Sequence, residues 1–152
     1  MNKSRNKELS VSKVGHFYED YLRYIEENDT FTVEMDCVEG NAEGHKVLLT
    51  FTFRKTNLML IFLLENQTQE EVLKVFAWLE AKLGTARFKK LFEVILTDGG
   101  SEFADRIGME TSTDGKTQRT IVFYCDPYSF WQKGCCEKNH EYTLRSQKGF
   151  HF

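Results

Sequence analysis

The sequence predicts an α/β domain centred on a five-stranded mixed sheet, three antiparallel strands followed by two parallel ones, flanked by helices. Three observations predict it. Three apolar or alternating stretches follow closely on one another between Phe31 and Leu64, as in a meander. A stretch with helical spacing comes next, over Gln69–Leu83, and the short apolar runs Val94–Thr97 and Ile121–Tyr124 come after it, so the chain crosses over before it makes further strands. With 152 residues, 41% of them hydrophobic, the chain is long enough for one domain with a sizeable core.

The elements follow in order. From Phe17 to Ile25, the residues Phe17, Tyr18, Tyr21, Leu22 and Ile25 recur at intervals of three and four, the pattern of an amphipathic helix, which Asn28-Asp29 ends. Phe31, Val33 and Met35 alternate with Thr32, Glu34 and Asp36, a strand that carries Asp36 on the face opposite its apolar set. A turn over residues 40–44 leads to Val47, Leu49, Phe51 and Phe53, which alternate again. The third strand, Leu58 to Leu64, is apolar throughout, which predicts that both its faces are covered. Thr68 and Glu71 form a capping-box pattern, Val72, Val75, Phe76, Leu79 and Leu83 make one stripe of the helix that follows, and Gly84 stands at its C-terminal cap. Phe88, Leu91 and Phe92 anchor a short basic helix or turn, after which Val94–Thr97 forms a strand ending at Asp98. Asp105 to Arg119 is polar, with Gly108 and Asp114-Gly115, and predicts a mobile loop or a hairpin tip. Ile121–Tyr124 is the fifth strand, and a last helix is expected from Ser129 to about Arg145, with Phe130 and Trp131 in the core.

Charge and cysteine content narrow the function classes. Twenty Lys and Arg against 23 Asp and Glu give a net charge of −3, so the surface is not one continuous nucleic-acid patch. Locally, Lys82, Arg87, Lys89 and Lys90 form a basic stretch with no acid between Ala81 and Phe92, which suits either phosphates or a solvated helix face. No apolar run is long enough to cross a bilayer, and residues 1–13 are polar and basic, without the apolar centre of a secretory signal. An intracellular chain with no membrane partner is therefore expected, with residues 1–13 as a flexible tail or linker. Cys37, Cys125, Cys135 and Cys136 lack the spacing of a zinc site and read as free thiols.

Three acids stand out by position: Asp36 at the end of the first strand, Asp98 just past the fourth, and Glu137 on the last helix. If the first and fourth strands are neighbours, Asp36 and Asp98 converge at one sheet edge and the last helix can bring Glu137 to them. Carboxylates brought together repel one another unless a cation compensates, and hard oxygen ligands suit Mg²⁺ or Mn²⁺. A pair of such ions roughly 4 Å apart serves in-line displacement at a phosphodiester. Pattern alone leaves the matter open, because Thr97-Asp98-Gly99-Gly100 is also an ordinary turn after a strand.

Five stretches resemble the catalytic core of insertion-sequence transposases of the IS-thirty family, a DDE integrase core. They are Val33-Glu34-Met35-Asp36, Arg54-Lys55-Thr56-Asn57-Leu58-Met59, Ile95-Leu96-Thr97-Asp98-Gly99-Gly100-Ser101-Glu102-Phe103, Phe123-Tyr124-Cys125-Asp126-Pro127-Tyr128, and Lys133 to Glu141. The resemblance runs in unbroken order from about Phe17 to Glu141 and implies an RNase H-like fold over residues 14–152. It implies that Asp36, Asp98 and Glu137 are the catalytic and metal-binding acids of a two-ion Mg²⁺ or Mn²⁺ site. The implied activity is strand cleavage at transposon ends and joining of the freed 3′-hydroxyl to target DNA. The implied assembly is a homodimer or larger, in a cytoplasmic, bacterial nucleoid-associated setting. Lys133, Lys138, His140 and Arg145 are the expected DNA contacts, while Ser101 and Glu102 are expected to cap and hold the segment after Asp98.

The sequence departs from the family at three places. Gly99 stands where the family commonly has Asn. The basic residue usually found seven positions after the last acid is replaced by Leu144, with Arg145 one position later and so turned by about 100° on a helix. From Thr143 to Phe152 only Lys148-Gly149 keeps the usual C-terminal pattern, which predicts a core truncated at that end. Two other readings compete: a metal-dependent nuclease of the same fold that cuts without joining, and a catalytically silent or degraded core acting as a dimerisation module.

Overall fold

A computed structural model describes residues 13–40, 46–127 and 129–133. Alternation builds the sheet. In β1 (Thr32–Glu39), Val33 and Met35 point into one core and are fully buried, while Thr32, Glu34 and Asp36 take the opposite face. The strands β2 (Val47–Phe53) and β3 (Met59–Leu64) continue the meander, with Met35 level with Phe51 and Phe51 level with Leu60. β4 (Val94–Thr97) then runs parallel to β1, and β5 (Ile121–Tyr124) parallel to β4. The order β3-β2-β1-β4-β5 is the expected three antiparallel strands followed by two parallel ones.

Helices cover the two faces unequally. On one face, α2 (Gln69–Leu83) and α3 (Thr85–Leu91) set Val72, Phe76, Leu79 and Phe88 against Phe51, Phe92 and Ile95. The Phe76 and Phe51 rings lie 5.8 Å apart edge to face, and Phe88 stacks on Phe92 at 4.7 Å. On the other face, α1 (Tyr18–Glu27) packs Tyr21 on Val94, Leu96 and Phe123. The Thr68 hydroxyl accepts the N–H of Glu71 at 3.3 Å, which is the forward half of the anticipated capping box, while the Glu71 carboxylate takes Lys74 at 2.8 Å.

Two expectations, on β3 and Trp131, are corrected, and the Asp105–Arg119 segment takes its hairpin-tip alternative. β3 lies at the sheet edge, and its alternate residues Ile61 and Leu63 are 50% and 60% exposed, so only the Leu60, Phe62 and Leu64 side is packed among the described residues. Its uniform apolarity hid a one-faced strand. The Asp105–Arg119 segment holds a short helix, α4 (Arg106–Glu110), and a bridge between Thr111 and Gln118 that closes a hairpin tip. Arg119 pins it: its guanidinium lies over the Phe76 and Phe88 rings, donates to the carbonyls of Met109 and Gly108, and pairs with Glu80. Trp131 is 73% exposed rather than in the core, because Phe130–Lys133 forms a turn of 3₁₀ helix instead of opening an amphipathic one. The continuation of the expected last helix lies outside the described residues.

Two buried ion pairs tie the layers together. The carboxylate of Glu34, fully buried on β1, accepts from Arg54 at 2.9 Å. The same guanidinium donates to the Tyr21 hydroxyl at 2.8 Å and to the Gln132 carbonyl at 2.7 Å, joining β1, α1 and the last described turn. Removing one partner strands a buried charge, so Arg54→Ala is expected to cost about 3 kcal/mol in urea unfolding. A loss below about 1 kcal/mol would show that water reaches Glu34. At the second pair, burial by itself would raise the Glu80 carboxyl, but hydrogen bonds from Ser112 and Thr113, with Arg119 beside them, outweigh it and hold the pKa below the ordinary 4.5. A depressed pKa stabilises the fold above the unfolded value and is lost as the pH falls below it. Glu80→Gln should therefore flatten the fall in stability between about pH 5 and 3 relative to the parent chain.

Candidate active site at the ends of two parallel strands

The pairing of β1 with β4 sets the site. Thr32 is level with Val94, Val33 with Ile95 and Glu34 with Leu96, and the Thr97 hydroxyl donates to the Met35 carbonyl at 2.9 Å, an offset of 62 residues. The paired register ends at Glu34 and Leu96, and the same offset of 62 residues relates Asp36 to Asp98, the first residue past β4. Local hydrogen bonds aim both carboxylates. Asp36 accepts the N–H of Cys37 at 2.9 Å, and Asp98 accepts the N–H of Gly100 at 2.9 Å, an Asx turn that bends the chain away from β4.

A third carboxylate lies beside the Cys37 thiol. Glu102 sits in the 3₁₀ turn Ser101–Phe103, 7% exposed, and accepts from the Gln67 side chain at 2.9 Å. The Cys37 thiol reports the concentration of negative charge: burial, followed by the charges of Glu102, Asp36 and Asp98, pushes its pKa up to about 12. A cation stands nearby. Lys13 places its amine 4.4 Å from the Tyr124 ring centroid, and a Cβ added at Gly99 would lie 3.5 Å from that nitrogen. Burial lowers the Lys13 pKa and the charge of Asp98 opposes the shift.

Asp36 and Asp98 both lie near enough to the Cys37 thiol to act on it. Lys133 closes the last described turn, and Glu137, Lys138, His140 and Arg145 lie outside the described residues. No group of three or more His, Cys, Asp or Glu among the described residues is arranged to hold a metal. Asp36 and Asp98 supply carboxylate oxygens, the donor type that a hard divalent ion takes. Sequence reasoning missed Lys13, which was assigned to the tail, and Gln67, which no local pattern distinguishes.

The topology decides the structural relationship. A catalytic core domain of BIV integrase superposes with a TM-score of 0.53, at 14% identity, over 80% of this chain and 74% of that one. The fold matches that of a retroviral integrase catalytic core. A chain of the simian T-cell lymphotropic virus intasome, solved with the PP2A regulatory subunit B56 gamma, superposes with a TM-score of 0.56 at 15% identity, over 80% of this chain. The present chain spans 43% of that chain's length. No protein-family model and no curated protein sequence matches it.

Gly100 tests how tightly this end of the sheet is packed. A Cβ there would lie 2.7 Å from a Glu102 carboxylate oxygen, and Gln67 restrains that carboxylate. Gly100→Ala is expected to displace Glu102 and cost about 1 kcal/mol of stability by overpacking, read as a lower urea midpoint. An unchanged midpoint would mean that Glu102 swings away freely.

Proposed function

We propose that the chain is the catalytic core of a DDE transposase of the IS-thirty type, cleaving and joining DNA strands by metal-dependent phosphoryl transfer. The observation that supports the reading is the parallel β1–β4 register, whose 62-residue offset relates Asp36 to Asp98, on two segments that also hold the Met35-Asp36 and Thr97-Asp98-Gly99-Gly100-Ser101-Glu102-Phe103 motifs. In this reading Asp36, Asp98 and Glu137 hold Mg²⁺ or Mn²⁺. When bound, the metal supplies Lewis acidity to the attacking and leaving oxygens of the phosphodiester. The protein's part is to fix donors before substrate arrives: the Cys37 N–H orients Asp36, the Asx turn orients Asp98, and Gln67 holds Glu102 beside them. DNA ends and target DNA are the proposed substrates, and Lys133, Lys138, His140 and Arg145 the proposed contacts to them. The intasome likeness supports a homodimer or larger assembly. A cytoplasmic, nucleoid-associated setting belongs to the same proposal.

The test uses the 152-residue chain with Mn²⁺ and supercoiled DNA. Asp36→Asn, Asp98→Asn and Glu137→Gln should each lower Mn²⁺-dependent nicking on the order of 100-fold or more. Metal at about 100 times its Kd should stabilise the parent fold by about 2.7 kcal/mol, and the Asp36 and Asp98 variants should lose that gain. A parent chain that neither gains stability nor nicks DNA would overturn the reading. Nicking without joining of a labelled 3′-end would assign a nuclease instead.

A further inference from the structure

A second cavity, of about 650 Å³, opens at the other end of the same strands. Its wall includes Thr30 just before β1, Glu93 just before β4, and Thr120 just before β5, whereas Asp36 and Asp98 lie at the opposite strand ends. Lys89 and Lys90 of α3 reach it from the basic stretch that the proposed DNA chemistry leaves unused, and Tyr24 of α1 forms its aromatic side.

Two observations mark it as a built site. The Thr120 residue is 3% exposed, and its hydroxyl, like that of Thr30, is buried with no hydrogen-bond partner among the described residues. A buried hydroxyl without a partner is destabilising, and an acceptor seated in the cavity would relieve it. The charges are also arranged for an anion. Arg119 in the wall is engaged by Glu80, Gly108 and Met109, and Glu93 accepts the N–H of Phe31 at 3.1 Å. Lys89 and Lys90 are exposed and are held in no ion pair or hydrogen bond among the described residues. Two lysines, two unsatisfied hydroxyls and an aromatic ring lining one cavity suit a phosphate carried on a nucleoside.

We propose that this cavity is a second binding site, remote from the Asp36–Asp98 site, that takes the phosphate of a nucleotide on Lys89 and Lys90, with the Thr120 hydroxyl donating to it. The phosphate comes either from a free nucleotide or from a nucleotide within a single strand. The probes are a deoxynucleoside monophosphate and a short single-stranded oligonucleotide, each titrated at constant ionic strength without divalent metal, with amide chemical shifts as the readout. Saturable shifts at Thr30, Gln118 and Thr120, weakened about tenfold in Lys89→Glu/Lys90→Glu and several-fold in Thr120→Val, are expected. The probe that binds more tightly identifies the source. The lysine changes are on the surface, and Thr120→Val conserves shape, so both variants keep the fold. No saturable shift with either probe, shifts confined to the Asp36–Asp98 end, or binding unchanged in the variants would overturn the proposal. None of these outcomes depends on metal or on nicking.

Discussion

The parallel pairing of β1 with β4 is the constraint on which the rest of the structure depends. These strands are separated in sequence by the whole meander and two helices, and their closure is a long-range contact with a large loop-entropy cost. That cost is met by the apolar layer beneath it, where Met35 and Ile95 meet Phe51, Phe76 and Phe92. Because side chains alternate, a slip of one residue in this pairing would turn Asp36 or Asp98 to the opposite face. The core therefore fixes the relative position of two acids that make no contribution to it.

Polar groups on the other face are affordable only in company. Glu34 lies one alternation from Asp36 and is fully buried, and Arg54 answers it while also engaging Tyr21 and Gln132. Replacing such a pair by apolar residues is often neutral in stability, so its value lies in specificity: it admits one arrangement of β1, α1 and the last described turn. Asp36, Asp98 and Glu102 are different. They lie close enough to raise the Cys37 thiol together, and the neighbouring cation, Lys13, is itself opposed by burial. Negative charge concentrated in this way destabilises the fold, and such a cost persists chiefly where function requires it.

Much of the fold was legible because it rests on periodicity. The strand positions, the α2 stripe and the change from antiparallel to parallel pairing all follow from alternation, helical spacing and the crossover rule. Asp98 was legible for the same reason, as a polar residue just past an apolar strand, whereas Asp36, expected to end β1, lies inside it, because Cys37 to Glu39 stay paired with β2. What periodicity does not encode was misread. Ile61 and Leu63 are exposed because β3 is an edge strand, which is a property of sheet order rather than of the segment. Arg119 is a charged residue in a polar stretch, and nothing local announces that two phenylalanines and a buried carboxylate from α2 and α3 enclose it. Lys13 was assigned to a tail on composition, whereas its amine lies over Tyr124.

The two ends of the parallel strands divide the chemistry. At the C-terminal ends, carboxylates gather where an anionic phosphodiester would be repelled, so on the proposed reading substrate affinity there must come from divalent metal and from basic residues beyond the acids. At the N-terminal ends the balance reverses: Lys89 and Lys90 face a cavity whose acid, Glu93, is tied to the backbone of Phe31. A net charge of −3 conceals this separation, because opposite charges at opposite strand ends cancel in the sum while their local fields do not. On the two proposed readings, strand polarity gives one small sheet two sites of opposite sign, and a ligand carrying phosphates would meet the second without the metal proposed for the first.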